Sequence, residues 1–118
     1  MLYLTVVGAN GSERRFSLKE GSNLVGRIDP ELGIYPDVDL DQDDPEARVS
    51  RRHASICIGP SIVTIEDLGS MNGSYLNMGS RLSPGVPIEM RVGDEVLLGK
   101  TVLRLESAED ITDTLSND

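Results

Sequence analysis

Four consecutive residues, Ser50-Arg51-Arg52-His53, place a hydroxyl, two guanidinium groups and the chain's single imidazole directly before the alternating run Ala54-Ser55-Ile56-Cys57-Ile58. Alternation with period two marks a strand, so these polar groups fall where a loop enters a sheet and are held by the sheet behind them. Cations beside a hydroxyl make an anion-binding rim. Two further stretches would have to converge on it, Gly26-Arg27 upstream and Gly69-Ser70-Met71-Asn72-Gly73-Ser74 downstream. A phosphorylated hydroxyl carries close to two negative charges and three acceptor oxygens, and a planar guanidinium such as that of Arg27 can meet two of those oxygens at once. The Ser50 hydroxyl can donate one more short bond, and backbone N–H groups in the glycine-bearing turn around Asn72 can donate others. The amide of Asn72, both donor and acceptor, suits the main chain of an extended peptide.

Plainer readings and other chemistries compete for these residues. Arg27 could be a solvated cation, Ser50 a turn residue bonding its own backbone, and Asn72 the first half of an Asn-Gly turn. Ser50, His53 and an acid such as Asp67 could form a hydrolase triad, but the chain has no Gly-x-Ser-x-Gly elbow and only one His. Asp37, Asp39, Asp41 and Asp43 alternate, which invites a calcium loop. An EF-hand begun at Asp37 needs Gly and Glu where the chain has Gln42 and Arg48. A short strand with Val38 and Leu40 inward and the acids outward accounts for the pattern, so neither a metal nor a cofactor is expected. The acidic loop would disfavour acidic flanks in a ligand. Gly93 through Gly99-Lys100-Thr101 ends like a phosphate-binding P-loop, yet five residues rather than four separate the glycines and Val96-Leu97-Leu98 is strand-like. No nucleotide site is read there. Asn10-Gly11-Ser12 and Asn72-Gly73-Ser74 fit the glycosylation pattern but lack a secretion signal.

The elements that must position these groups are short strands. The 118 residues allow one domain in which roughly two-thirds of the unfolded surface can be buried. Aromatics are limited to Tyr3, Phe16, Tyr35 and Tyr75, so Val, Ile and Leu must build the core, and they favour strands. Strand-sized runs recur from Leu2-Tyr3-Leu4-Thr5-Val6-Val7 to Thr101-Val102-Leu103-Arg104-Leu105, including Ser80-Arg81-Leu82, with Gly, Pro and Asn-Gly turns between them. An Asn10-Gly11 hairpin turn is expected, and an irregular segment of about twenty residues follows Arg27. No stretch keeps a helical period. About eleven short strands indicate an all-β, antiparallel β-sandwich.

The net charge of -9 argues against nucleic acid as a partner. Residues 29–46 hold eight acids and no base, residues 106–118 five and none, and the rest carries seven acids against eleven bases. The body is therefore mildly basic. Cys57 is the only cysteine, no charged-then-apolar leader follows Met1, and no apolar run reaches membrane-spanning length. A cytoplasmic protein with no membrane partner is expected.

Taken together, Gly26-Arg27, Ser50-Arg51-Arg52-His53-Ala54, Asp67-Leu68-Gly69-Ser70-Met71-Asn72-Gly73-Ser74-Tyr75-Leu76-Asn77 and Leu98-Gly99 resemble, in order and spacing, the forkhead-associated (FHA) domain. The resemblance spans residues 2–105. It implies an eleven-stranded SMAD/FHA-like sandwich that binds phosphothreonine in a partner protein and acts, without catalysis, as an adaptor downstream of a Ser/Thr kinase. By that resemblance Arg27 and Ser50 touch phosphate, Asn72 holds the ligand's backbone, and Arg51 contacts the phosphorylated residue or its neighbours. Arg52 faces solvent. His53 braces the loop from behind, with Gly26 and Gly73 as further support. Many relatives carry a hydroxyl or basic residue where Met71 stands, so only its backbone N–H can help here. Met71→Thr is expected to tighten phosphopeptide binding, measured by titrating both proteins with one peptide. A few charged hydrogen bonds, less the cost of immobilising a peptide, imply affinity nearer micromolar than nanomolar. Binding should weaken below about pH 6, where phosphate gains a proton. The alternative from another class is a sandwich that binds folded partners independently of phosphate.

On this reading residues 1–106 form the domain and residues 107–118 an acidic tail without fixed structure. Thr112 has Leu115 three residues later. If phosphorylated, Thr112 could occupy a neighbouring copy's site and drive self-association.

Overall fold

The computed structural model describes residues 1–7 and 14–108, and its two faces follow from the alternation of apolar and polar positions along each strand. The strands are β1 (Leu2–Val6), β2 (Arg14–Ser17), β3 (Gly21–Gly26), β4 (Val38–Asp39), β5 (Ala54–Ile58), β6 (Val63–Asp67), β7 (Ser74–Leu76), β8 (Ile88–Met90), β9 (Glu95–Leu98) and β10 (Thr101–Ser107). They form two five-stranded sheets, in the orders β2-β1-β10-β9-β7 and β4-β3-β5-β6-β8. Leu4, Val96, Leu98, Leu103 and Leu105 of the first sheet share one buried core with Val25, Ala54, Ile56 and Ile65 of the second. This is the expected all-β sandwich.

Ten strands are present among the described residues. The Ser80-Arg81-Leu82 run forms only a single bridge, Tyr75 to Arg81, rather than a strand. One pairing breaks the antiparallel rule: β4 runs parallel to β3, with Val25 opposite Val38 and Gly26 opposite Asp39. At the other end β10 pairs Glu106 with Tyr3 and Ser107 with Leu2, so the sheet extends one residue past the expected end of the domain. The Asn10-Gly11 turn and the tail's Ile111, Thr112 and Leu115 lie outside the described residues.

The long segment between β3 and β5 is tied down at several points. Short 3-10 turns occupy Pro30–Leu32 and Asp41–Asp43. Val38, Leu40 and Val49 sit in the core. Their burial anchors a loop that sequence length alone would leave loose.

Candidate functional site

The site begins at a close approach that only glycine permits. A Cβ on Gly26 would lie 1.8 Å from the Arg51 carbonyl oxygen. With that space free, the His53 N–H donates to Val25 O at 3.0 Å and the Arg27 N–H to Arg51 O at 3.2 Å. The pairing of β3 with β5 therefore continues beyond the strand ends and sets Arg27 beside residues 50–53.

Arg27 is committed in part. Its Nε donates to Val49 O at 2.6 Å, Asp44 Oδ2 lies 3.7 Å from the same atom, and Asp41 Oδ1 lies 3.9 Å from Nη1. Ser50 follows Val49 directly, so Arg27 and Ser50 share one ridge of backbone. The Ser50 N–H donates to His53 Nδ1 at 3.0 Å, and the Ser50 hydroxyl oxygen accepts the Met71 N–H at 3.1 Å. An acceptor role for that oxygen leaves its own hydrogen free to donate.

His53 is fully buried. Because Nδ1 accepts from Ser50, Nε2 must carry the proton, and it donates to Gly73 O at 2.8 Å. Burial pulls the imidazole below its usual value, partly offset by the Gly73 carbonyl and by the charges of Asp67 and Asp44. The ring is a neutral strut between two loops, and both nitrogens are spent. This also dismantles the hydrolase arrangement: Ser50 Oγ is bonded to Met71 rather than His53, and Asp67 is bonded elsewhere.

The loop between β6 and β7 folds around Asp67. Its Oδ2 accepts the N–H groups of Gly69 at 2.9 Å and Ser70 at 3.0 Å, and its Oδ1 accepts the hydroxyls of Ser70 and Ser74, each at 2.6 Å. Ser70 Oγ in turn accepts the Gly73 N–H at 3.0 Å. Burial raises the Asp67 pKa, but these hydrogen bonds outweigh it and hold the carboxyl below its ordinary value.

Asn72 stands at the seam. Its Nδ2 donates to Arg48 O at 2.8 Å, linking this loop to the one before β5. Asp44 shapes that second loop by accepting the N–H groups of Arg48 at 2.9 Å and Val49 at 2.8 Å. Gly99 lets the β9–β10 turn press on the same place, since a Cβ there would sit 2.7 Å from Arg48 O. Arg51 Nε pairs with Asp29 Oδ2 at 2.5 Å, pinning the 29–34 hairpin to the rim. Arg52 and Met71 are exposed.

The structure thus brings Arg27, Ser50, Arg51, Met71, Asn72, Gly26, His53 and Gly73 to one end of the sandwich. Three of the alternating acids brace the framework, since Asp37 accepts the Leu24 N–H, Asp39 the N–H groups of Ile28 and Asp41, and Asp43 pairs with Arg14. Among the described residues no cluster of His, Cys, Asp and Glu could hold a metal ion. Sequence reasoning missed Asp44, Ser74 and Arg81. For Asp44, an acid four and five residues ahead of the N–H groups it accepts was a faint signal; for Arg81 there was none.

The sequence and the fold are both similar to those of known proteins. The protein FraH of Nostoc is 37% identical over 89 residues, covering 75% of this chain and 30% of FraH. The oxoglutarate dehydrogenase inhibitor of Corynebacterium glutamicum is 35% identical over 86 residues, covering 73% of this chain and 51% of the inhibitor. The chain therefore spans about a third to a half of these relatives. A solved structure described in terms of phosphothreonine-dependent FHA domain interactions superposes with a TM-score of 0.67 at 27% identity, covering 90% of this chain and 95% of that one. The FHA domain family matches residues 23–99, well over half of the sequence, and the chain belongs to that family.

Proposed function

We propose that the rim binds phosphothreonine in an extended segment of a partner protein, so that the chain serves as a non-catalytic adaptor in Ser/Thr kinase signalling. One observation carries this reading: three loops are cross-linked at Ser50 Oγ and at Val49 O while the Ser50 hydroxyl hydrogen, the outer nitrogens of Arg27 and the Asn72 N–H stay unspent by any hydrogen bond among the described residues. A cation, a hydroxyl and a main-chain donor in one place match a dianionic phosphoryl group. Arg51 adds positive charge beside them, tempered by Asp29. Asn72 keeps its carbonyl oxygen and one amide hydrogen for the ligand's main chain. Relatives named as an inhibitor and a regulator fit a module that works by binding. The setting is the cytoplasm, where kinases supply the modification.

The test is an oriented phosphothreonine peptide library, followed by titration of a selected peptide against its phosphoserine and unphosphorylated forms. Micromolar binding that requires the phosphate, and that Arg27→Ala and Ser50→Ala each abolish, is expected. Equal binding of the unphosphorylated peptide would favour a phosphate-independent interaction domain instead.

A further inference from the structure

Arg81 lies beyond the 67–77 stretch that carries the resemblance, and it faces the back of the loop between β6 and β7. Its Nη2 donates to Ser70 O at 2.9 Å and reaches Met71 O at 3.4 Å. The Gly73 carbonyl, two residues after that of Met71, accepts from His53 Nε2. In a trans peptide the N–H points opposite its own carbonyl. Fixing the carbonyls of Ser70 and Met71 on one side therefore fixes the N–H groups of Met71 and Asn72 on the other. The first is the donor to Ser50 Oγ, and the second finds no acceptor among the described residues.

Two more features show that the guanidinium is built in. Gly73 has a φ of +85°, and a Cβ there would lie 2.7 Å from Arg81 Nε, so the glycine leaves room for the arginine as well as making the turn. Leu82, the next residue, is buried in the core and its N–H donates to Ser74 O at 2.8 Å, which fixes the backbone from which Arg81 projects. No carboxylate among the described residues pairs with Arg81. A full positive charge thus stands behind two peptide groups, where hydrogen bonding to their carbonyls makes their N–H groups stronger donors.

We propose that Arg81 is a positioning residue of the phosphate site: without touching the ligand, it orients and polarises the Ser70–Met71 and Met71–Asn72 peptide groups so that the Met71 N–H holds the Ser50 hydroxyl in place and the Asn72 N–H faces the anion. The proposal rests on the phosphothreonine reading above.

Its test compares wild type, Arg81→Met and Arg81→Lys by titration with the selected phosphothreonine peptide and by amide proton and nitrogen spectra of the free proteins. Arg81→Met should weaken binding about tenfold and move the Met71 and Asn72 amide protons upfield while core amides stay in place. Arg81→Lys, which restores a cationic donor, should recover part of both. Binding by Arg81→Met at wild-type strength, or unmoved Met71 and Asn72 amides, would overturn the proposal. If Arg81→Met does not fold, the same comparison is made with Arg81→Lys, for which smaller changes in the same direction are expected and none would overturn it. If wild type binds no phosphopeptide, the functional reading fails separately, and the free-protein spectra decide for Arg81: shifted Met71 and Asn72 amides support its hold on the loop, and unshifted ones end it.

Discussion

Two buried aspartates each shape one wall of the rim, and they differ in what they accept. Asp67 is surrounded by four neutral donors from its own neighbourhood, two N–H groups and two hydroxyls. Among the described residues Asp44 accepts two N–H groups, from Arg48 and Val49, and its second oxygen lies 3.7 Å from the guanidinium of Arg27. The first wall is therefore a matter of shape, complete before any ligand arrives. The second ties shape to charge, because the carboxylate that folds the loop also attends the cation that a phosphate would need. An anion at this site gains fixed donors from one side and must compete for Arg27 on the other.

The difference is broken most severely by removing the neutral wall's centre. Asp67→Ala would strand four donors, and each buried unpaired group costs about 1–3 kcal/mol. A loss on the order of 4 kcal/mol is expected in chemical denaturation, a large share of the stability of a domain this size. Wild-type stability in that variant would mean that Arg81 and His53 hold the loop without Asp67. Next comes Gly26→Ala, which strikes the other wall. Its methyl would drive into the Arg51 carbonyl, which is backbone and cannot swing aside. Overpacking typically costs about 1–3 kcal/mol, and a backbone clash this close belongs at the upper end. The same variant should lose phosphopeptide binding, because Arg27 and Ser50 would no longer share a ridge. Retained affinity in a folded Gly26→Ala protein would separate the two walls more completely than the structure does.

Acid should reach the walls at different pH. His53 has a folded pKa below its usual value, so between that value and about 6.5 the unfolded chain binds the proton and the folded one does not. Stability therefore falls as pH drops below about 6.5. Asp67 has a depressed carboxyl pKa, and its contribution persists above the ordinary carboxylate value and is lost only as pH falls through the folded value. Denaturation without ligand at pH 7 and pH 5 should show a loss of stability at the lower pH that belongs to His53. His53→Gln should be less stable than wild type but lack that slope. An equal slope in both proteins would assign the acid sensitivity elsewhere. Measurements on the free protein matter because phosphate itself titrates near pH 6.

Much of this was legible in the sequence, for identifiable reasons. The strands declare themselves because a half-buried sheet demands alternation, and Ala54 to Ile58 or Val63 to Asp67 can satisfy it in no other way. Gly26, Arg27, Ser50, His53 and Asn72 stand at loop-to-strand boundaries, where side-chain chemistry and turn chemistry coincide. The parallel pairing of β4 with β3 was not legible, since a two-residue strand carries no sign of its direction. Asp44 was hidden among eight acids, because charge does not say which of them turns inward. Asn72 spends an amide hydrogen on the Arg48 carbonyl, and a main-chain acceptor leaves no mark in the sequence. Arg81 sits in a run whose pattern suited a strand, and what matters is the far end of its side chain.

The smallest expected effect sharpens the comparison rather than breaking it. Asp41 Oδ1 lies 3.9 Å from Arg27 Nη1 and its side chain is 53% exposed, so the pair is screened and contributes little to folding. For an incoming dianion it still counts, as a like charge beside the cation that should receive it. Asp41→Asn keeps the size and removes the charge while leaving Asp44 and the loop it folds in place. Phosphopeptide affinity should rise roughly two- to fivefold at low ionic strength, with unchanged stability, and the gain should shrink at about 0.5 M salt, where the screening length falls to a few ångströms. Unchanged affinity at low salt would mean that Val49 O and Asp44 hold Arg27 so fully that its charge takes no part in capturing the anion. The burden of recognition would then shift to the Ser50 hydroxyl and to the Asn72 N–H of the neutral wall.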